Sequence, residues 1–295
     1  MRTGSKTTWT LAAALVAGGL AAFSQATPAS AAALLFTDFS DLTGLQLNGN
    51  TSSIHSCTGG VGSTCSPVAD NVLRLTNTTS QAGSAFSTTA ISLDQDASFS
   101  TSFQFRVTNT INGGADGIVF VLQTNSNTAG GSGGGIGYFG IDNSVGIEFD
   151  NWDNGFGDGF SDNHVGIDLG GSVDSVALNT NPGFTIDAGD IITAWVDYNG
   201  VTDLLEVRAN TTGIRPGTAL LSYTVDLVSE LGSTNAFVGF TSGTGAAGAN
   251  HDILSWQFNS EFAPIETIGV PEPGMAAVFG LGLLGLGWAR RRRGA

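Results

Sequence analysis

Apolar and polar residues alternate over short stretches of this chain, and no window carries a long 3.6-residue apolar stripe. Residues 99–107 show the pattern best: Phe99, Thr101, Phe103, Phe105 and Val107 share one parity, with Ser100, Ser102, Gln104 and Arg106 between them. A period of two predicts a strand with one buried face. Further strands are predicted at residues 115–122, 145–149, 165–169, 191–198, 204–207, 237–240 and 253–258, each short and bounded by Gly, Asn, Asp or Ser. Tyr198-Asn199-Gly200-Val201 lies between two of them. Asn-Gly accepts the positive φ angles of a type I′ turn, so a tight hairpin is expected there. Residues 34–262 thus read as one antiparallel all-β sandwich, without helices and without a second globular unit.

Composition narrows the picture. Glycine supplies 43 of the 295 residues and proline only 7, with no three-residue period, so a turn-rich β protein is favoured and collagen excluded. Hydrophobic residues at 41%, including 18 Phe, can build a substantial core. Residues 34–270 hold 24 acidic side chains against four basic ones, Arg74, Arg106, Arg208 and Arg215, a net charge of −20. That field repels phosphate backbones and anionic membrane surfaces, which excludes nucleic acid as a partner.

Both ends read as export machinery. Arg2 and Lys6 precede an apolar run at residues 11–22 and then small residues up to Ala33, the layout of a cleavable secretory signal peptide over residues 1–33. Cys57 and Cys65 stand in a Gly/Ser/Thr-rich segment, and in an exported protein their spacing suits a local disulfide. After a linker at 263–270 come Val270-Pro271-Glu272-Pro273, an apolar stretch at 275–289 and Arg290 to Arg293. These three parts in order resemble the PEP-CTERM sorting signal of Gram-negative bacteria. The resemblance implies that residues 271–295 form a transient inner-membrane anchor, cut by an exosortase to release the protein to the cell surface or extracellular matrix. A permanent single-pass anchor is the alternative reading.

The densest chemistry lies at residues 142–168, where seven acids occur with no basic residue among them. In a strand, Glu148 and Asp150 point to the same face. Two carboxylates meeting there call for a cation. Carboxylates, an Asn carbonyl and a main-chain oxygen suit Ca²⁺, and one added imidazole, from His164, suits Mn²⁺. A solvated acidic loop is the plainer alternative. The spacing is not that of an EF-hand, because Trp152 occupies the third position counted from Asp150.

The segment Val145-Gly146-Ile147-Glu148-Phe149-Asp150-Asn151-Trp152-Asp153-Asn154, followed by His164-Val165-Gly166-Ile167-Asp168, resembles the metal loop of legume-type (L-type) lectins. Ala115-Asp116-Gly117-Ile118 upstream, and Val238-Gly239-Phe240-Thr241-Ser242 with His251-Asp252-Ile253-Leu254-Ser255-Trp256 downstream, are similar to the same family. The resemblance implies a concanavalin-like jelly-roll sandwich that binds carbohydrate or exopolysaccharide reversibly, is not an enzyme, and is compatible with homo-oligomers. It implies Glu148, Asp150, Trp152, Asn154, Asp158 and His164 as metal ligands, Trp152 through its carbonyl oxygen. It also implies Asp116, Gly134, Gly135, Trp152, Asn154, Gly245 and Ala246 at the sugar, with a cis Ala115–Asp116 peptide. One departure matters: the family's second bridging Asp falls on Gly159, flanked by Asp158 and Asp162, and the residue count favours Asp158 as its replacement. Two other functions compete. One is a glycoside hydrolase on the same fold using Glu148, Asp150 and Asp153, and the other is a matrix protein with a degenerate sugar site.

Overall fold

The computed structural model describes residues 33–54, 71–128 and 134–267, which build two eight-stranded antiparallel sheets. The first sheet runs from edge to edge through Leu221–Thr224, Leu204–Asn210, Ile192–Asn199, Phe99–Ile111, Gly248–Asn259, Val72–Thr76 and Ser52–Ile54, with Ala33–Phe36 paired onto Gly248–Asn259. The second runs through Ala177–Asn179, His164–Leu169, Ser144–Asp150, Gly117–Gln123, Asn235–Gly243, Ala82–Ser87 and Leu45–Gly49, with Ile91–Ser92 paired onto Asn235–Gly243. Neighbours in space come from distant parts of the sequence, as when Phe99–Ile111 pairs with both Ile192–Asn199 and Gly248–Asn259. This is the jelly-roll sandwich expected from the sequence.

The alternating parity at residues 99–107 does what it predicts. Phe99, Phe103, Phe105 and Val107 are fully buried between the sheets. Phe103 meets the edge of Phe240 at a centroid distance of 5.0 Å and of Phe149 at 5.9 Å, both from the second sheet, so offset and edge-on aromatic contacts tie the two layers together. A smaller apolar cluster of Phe86, Val119, Val121, Ile136 and Tyr138 lies apart from that core and fastens the 134–141 loop to the second sheet.

Three local features depart from the sequence reading. The hairpin after Tyr198 is longer than a two-residue turn: Asn199 pairs with Leu204, and the left-handed φ of 55° falls on Asp203, not on the Asn-Gly pair. Gly200 is required for a different reason, since a Cβ there would lie 2.4 Å from the carbonyl oxygen of Asp96. Among the described residues one helix, Leu227–Leu231, is present, capped by the Asp226 carboxylate on the Ser229 N–H and ended by Gly232 at φ 62°. Five residues are too few to write a helical stripe into the sequence. Finally, residues 263–267, read as linker, pack against the first sheet: the Ala263 N–H donates to Ser100 Oγ at 3.1 Å, and Ile265 is buried. The predicted signal peptide, the Cys57–Cys65 pair and the segment 271–295 lie outside the described residues.

Candidate functional site

Glu148 and Asp150 alternate with Ile147 and Phe149 along Ser144–Asp150, so both carboxylates leave the core side of the second sheet. The antiparallel register then sets Asp150 opposite His164 and Glu148 opposite Gly166. As a result, one donor atom from each of Glu148, Asp150 and His164 lies within 4.8 Å of the other two, with all three side chains buried. Gly166 leaves the space for this. A Cβ at that position would stand 2.3 Å from Glu148 Oε1 and 2.0 Å from Ser175 Oγ. Ser175 Oγ in turn lies 2.7 Å from Glu148 Oε1 and 2.8 Å from Asp168 Oδ1, holding both carboxylates in place.

The electrostatics of this cluster are one-sided. His164 Nδ1 is 3.0 Å from the carbonyl oxygen of Ser161, which can only accept, so Nδ1 carries a proton. In the neutral ring Nε2 therefore presents a lone pair to Glu148 Oε1 at 3.3 Å. Burial, reinforced by the Glu148 charge, pushes Asp150 and Asp168 well above the usual carboxylate range. For His164, burial opposes protonation, but Glu148 and Asp158 outweigh it and raise its pKa. The arginine ion pairs of the described residues are with Asp252, Asp197 and Glu206, and none reaches this cluster. Buried carboxylate oxygens with one imidazole lone pair and no neighbouring base form a donor set that fits a divalent cation.

The loop beyond Asp150 folds back over the cluster. Asp158 is buried and its Oδ2 accepts the Asn154 N–H. Its charge is felt at Asp116, Asp150, Asp168 and His164. Asp162 is exposed. The Trp152 N–H donates to Asp150 Oδ1 at 2.6 Å; the Trp152 side chain is half-buried, while Asn154 is exposed.

Beside this loop opens a cleft of about 330 Å³, lined by Asn112, Ala115, Asp116, Gly134, Trp152, Gly245, Ala246 and Ala247. The Ala115–Asp116 peptide is cis. Main-chain bonds from Asp116 N to the Gly243 carbonyl and from Asn151 N to the Asp116 carbonyl fix Asp116 between the second sheet and the loop. Its Oδ2 is buried without a hydrogen-bond partner. Burial raises its pKa to about 6, the Gly245 N–H opposes that rise, and the Asp158 charge adds to it. Gly134 keeps the wall low, since a Cβ there would lie 3.6 Å from both Asp116 Oδ1 and Asn154 Nδ2. Gly135 follows Gly134 in the chain, and its carbonyl accepts the N–H groups of Tyr138 and Phe139.

Sequence reasoning missed several contributors. Asn112 donates to the Ala246 carbonyl at 2.8 Å and so fixes the far rim; an Asn-Gly-Gly turn was its only signal. Asn151 is buried with both side-chain amide atoms unpartnered. Ser175 comes from a separate loop and has no local signature.

The family profile described as Legume lectin domain matches residues 39–272. The chain belongs to the legume lectin domain family. Within this lectin, residues 269–293 also match the PEP-CTERM protein-sorting motif. Among curated relatives, the lectin domain is 36% identical to Agglutinin-2 of Cladrastis kentukea over 182 residues, covering 56% of this chain and 58% of that protein. It is 33% identical to L-type lectin-domain containing receptor kinase VIII.1 of Arabidopsis thaliana over 175 residues, 56% of this chain but 24% of the kinase. The chain thus spans from about a quarter to somewhat over half of these relatives' length. Lectin II from Ulex europaeus superposes with a TM-score of 0.63 at 25% identity, covering 78% of this chain and 98% of that one. Fold and relatives together support a carbohydrate-binding lectin. Among the described residues, no helix is long and apolar enough to cross a membrane.

Proposed function

We propose that this lectin is an exported, metal-dependent carbohydrate-binding protein that acts at the cell surface or in the extracellular matrix. One observation carries the reading: the cleft holding the Asp116 carboxylate, whose Oδ2 is unpartnered, and the Trp152 ring shares its loop with the buried Glu148–Asp150–His164 cluster. In this reading Asp116 accepts hydrogen bonds from sugar hydroxyls, and Trp152 packs its ring on the C–H face of the sugar. Asn154 and the backbone amides of Gly134 and Gly135 add donors, and Gly245 with Ala246 sets which sugar enters. Glu148, Asp150, Asp158 and His164 hold a transition metal such as Mn²⁺, while Asp150, Asp158, Asn154 and the Trp152 carbonyl hold Ca²⁺. When bound, the cations supply the fixed positive charge that clamps the loop and keeps the acids ionised. The sorting motif supports export through the exosortase route. The net charge of −20 over residues 34–270 favours neutral over acidic polysaccharides.

The hydrolase reading gains no support from the geometry. A glycosidase sets two carboxyls across the scissile bond. Here Glu148 and Asp150 are buried and absent from the cleft walls, and exposed Asp153 is engaged with the Gly155 N–H at 2.7 Å. The test is a glycan array run with Ca²⁺ and Mn²⁺ and again with chelator. Retention lost in chelator, without release of reducing ends, is expected. Retention that survives chelation unchanged overturns metal dependence, new reducing ends favour the hydrolase, and an array blank under both conditions favours a matrix protein with a degenerate site.

A further inference from the structure

The outward face of the first sheet carries a second built cavity. Ser100, Ser102, Gln104 and Arg106 point outward, alternating with the buried apolar row of Phe99–Ile111, and the register sets Trp195 opposite Ser102 and Thr193 opposite Gln104. A solvent-facing polar row is ordinary, but this one is covered. Ser102 is fully buried and Trp195 is 1% exposed. Arg215 pairs with Asp197 on the same face, and the Ala263 N–H docks residues 263–267 on Ser100. Here lies a cavity of about 200 Å³ whose walls include Ser102, Gln104, Thr193, Trp195, Ser255 and Glu266.

Two wall groups have nothing to bond. Trp195 Nε1 and Ser102 Oγ are buried without a hydrogen-bond partner. Their neighbours are already connected: Ser255 Oγ donates to Gln104 Oε1 at 3.2 Å, and Gln104 Nε2 donates to Thr193 Oγ1 at 3.4 Å. Buried polar groups are paired in folded proteins, so these two are poised for an incoming partner.

We propose that this cavity is a second, metal-independent binding site for a single neutral sugar ring. The walls mix a fixed indole donor, hydroxyls that both donate and accept, and one carboxylate acceptor. Vicinal sugar hydroxyls match such a mixture because each can donate and accept. An anion would meet Glu266, an apolar ligand would leave the indole N–H and Ser102 Oγ unpaired, and one carboxylate is too few for a metal. At ~30 Å³ per water the space equals roughly six or seven water molecules, the size of one ring and not of an oligosaccharide. Because Glu266 belongs to the wall, an occupied site also pins the segment that leads into the sorting motif at residues 269–293.

The test uses the full chain carrying Asp116→Asn, in chelator, titrated with neutral monosaccharides by calorimetry and by tryptophan fluorescence. One ring per chain is expected to bind weakly, with a fluorescence change. Adding Trp195→Phe, which keeps an aromatic ring and removes the N–H, is expected to lower that affinity about tenfold or more with an unchanged unfolding profile. If that variant misfolds, Ser102→Ala serves the same purpose. No binding in the Asp116→Asn protein, affinity unmoved by Trp195→Phe or Ser102→Ala, or glycerol competing as well as a sugar overturns the proposal. Loss of chelator-sensitive binding in the wild-type chain with this titration intact would instead overturn the metal-dependent cleft alone.

Discussion

Nε2 of His164 stands 3.3 Å from Oε1 of Glu148, and both side chains are sealed from solvent. The Ser161 carbonyl holds the ring's only neutral-state proton on Nδ1, so two acceptors face each other across that distance. A proton or a cation shared with Asp150 satisfies that pair. The same alternative applies to Asp150 and Asp168, which burial drives toward their protonated forms. Protons and metal therefore compete for one cluster, and pH should decide between them.

The first prediction follows from that competition. Without metal, the folded chain holds protons on Asp116, up to about pH 6, and on Asp150 and Asp168. The unfolded chain releases them near 3.9. The folded state thus binds more protons, so these groups take stability away as pH rises from about 4 through 6 and above. Calcium binding removes that loss. The rise in Tm on adding calcium to chelator-treated protein should be larger at pH 7 than at pH 5; an equal rise at both would rule out a shared proton and metal site.

A second prediction separates two acids. Asp158 is 4% exposed with its Oδ2 on the Asn154 N–H, whereas Asp162 is exposed. Asp158→Ala should weaken calcium binding about tenfold or more, and Asp162→Ala should leave it nearly unchanged. Calorimetric titration of both variants decides, and weaker binding only in the Asp162 variant would reverse the assignment.

The parts of this site that follow strand periodicity were legible in the sequence. Glu148 and Asp150 share a parity, and the buried row from Phe99 to Val107 alternates, so a strand explains both. What depended on register or on separate loops was not legible: Ser175 meets Glu148 across 27 positions. Ala82–Ser87 was missed because its small residues are buried on both faces and show no alternation. Asn199-Gly200 misled in an instructive way. Glycine is needed there for close approach to Asp96, and the chain turns over Gly200 to Asp203 instead of closing in two residues. Residues 263–267 read as linker because short polar-apolar segments carry no period, yet Ile265 and the Ala263 N–H dock them.

A third prediction concerns Gly166. A Cβ added there meets Ser175 Oγ, Glu148 Oε1 and, at 2.9 Å, Glu148 Cγ, all of them side-chain atoms and none backbone, so Gly166→Ala should fold with Glu148 and Ser175 displaced. The displaced Glu148 no longer reaches His164. Loss of manganese affinity of about tenfold or more, with a modest loss of stability of about 1–2 kcal/mol, is expected. Unaltered manganese binding in a folded Gly166→Ala protein would show that Glu148 does not need its present position.

The last prediction concerns the acid side of stability. His251 is fully buried, with Nδ1 2.7 Å from Thr76 Oγ1 and Nε2 unpartnered, and burial lowers its pKa to about 3. In the unfolded chain the same group titrates near 6.5. The folded state refuses a proton that the unfolded state accepts, so stability is complete above about 6.5 and is lost as pH falls toward 3. Each pH unit in that window costs about 1.4 kcal/mol, hence about 2 kcal/mol between pH 6.5 and 5. Calcium held in excess keeps the acidic cluster from adding its own opposite trend. Under that condition His251→Gln, whose neutral amide can still bond Thr76, should be less stable than wild type at pH 7 but lose less stability on going to pH 5. Urea unfolding at pH 7, 6 and 5 measures both curves. Parallel curves for the two proteins would mean that His251 does not govern the acid limb.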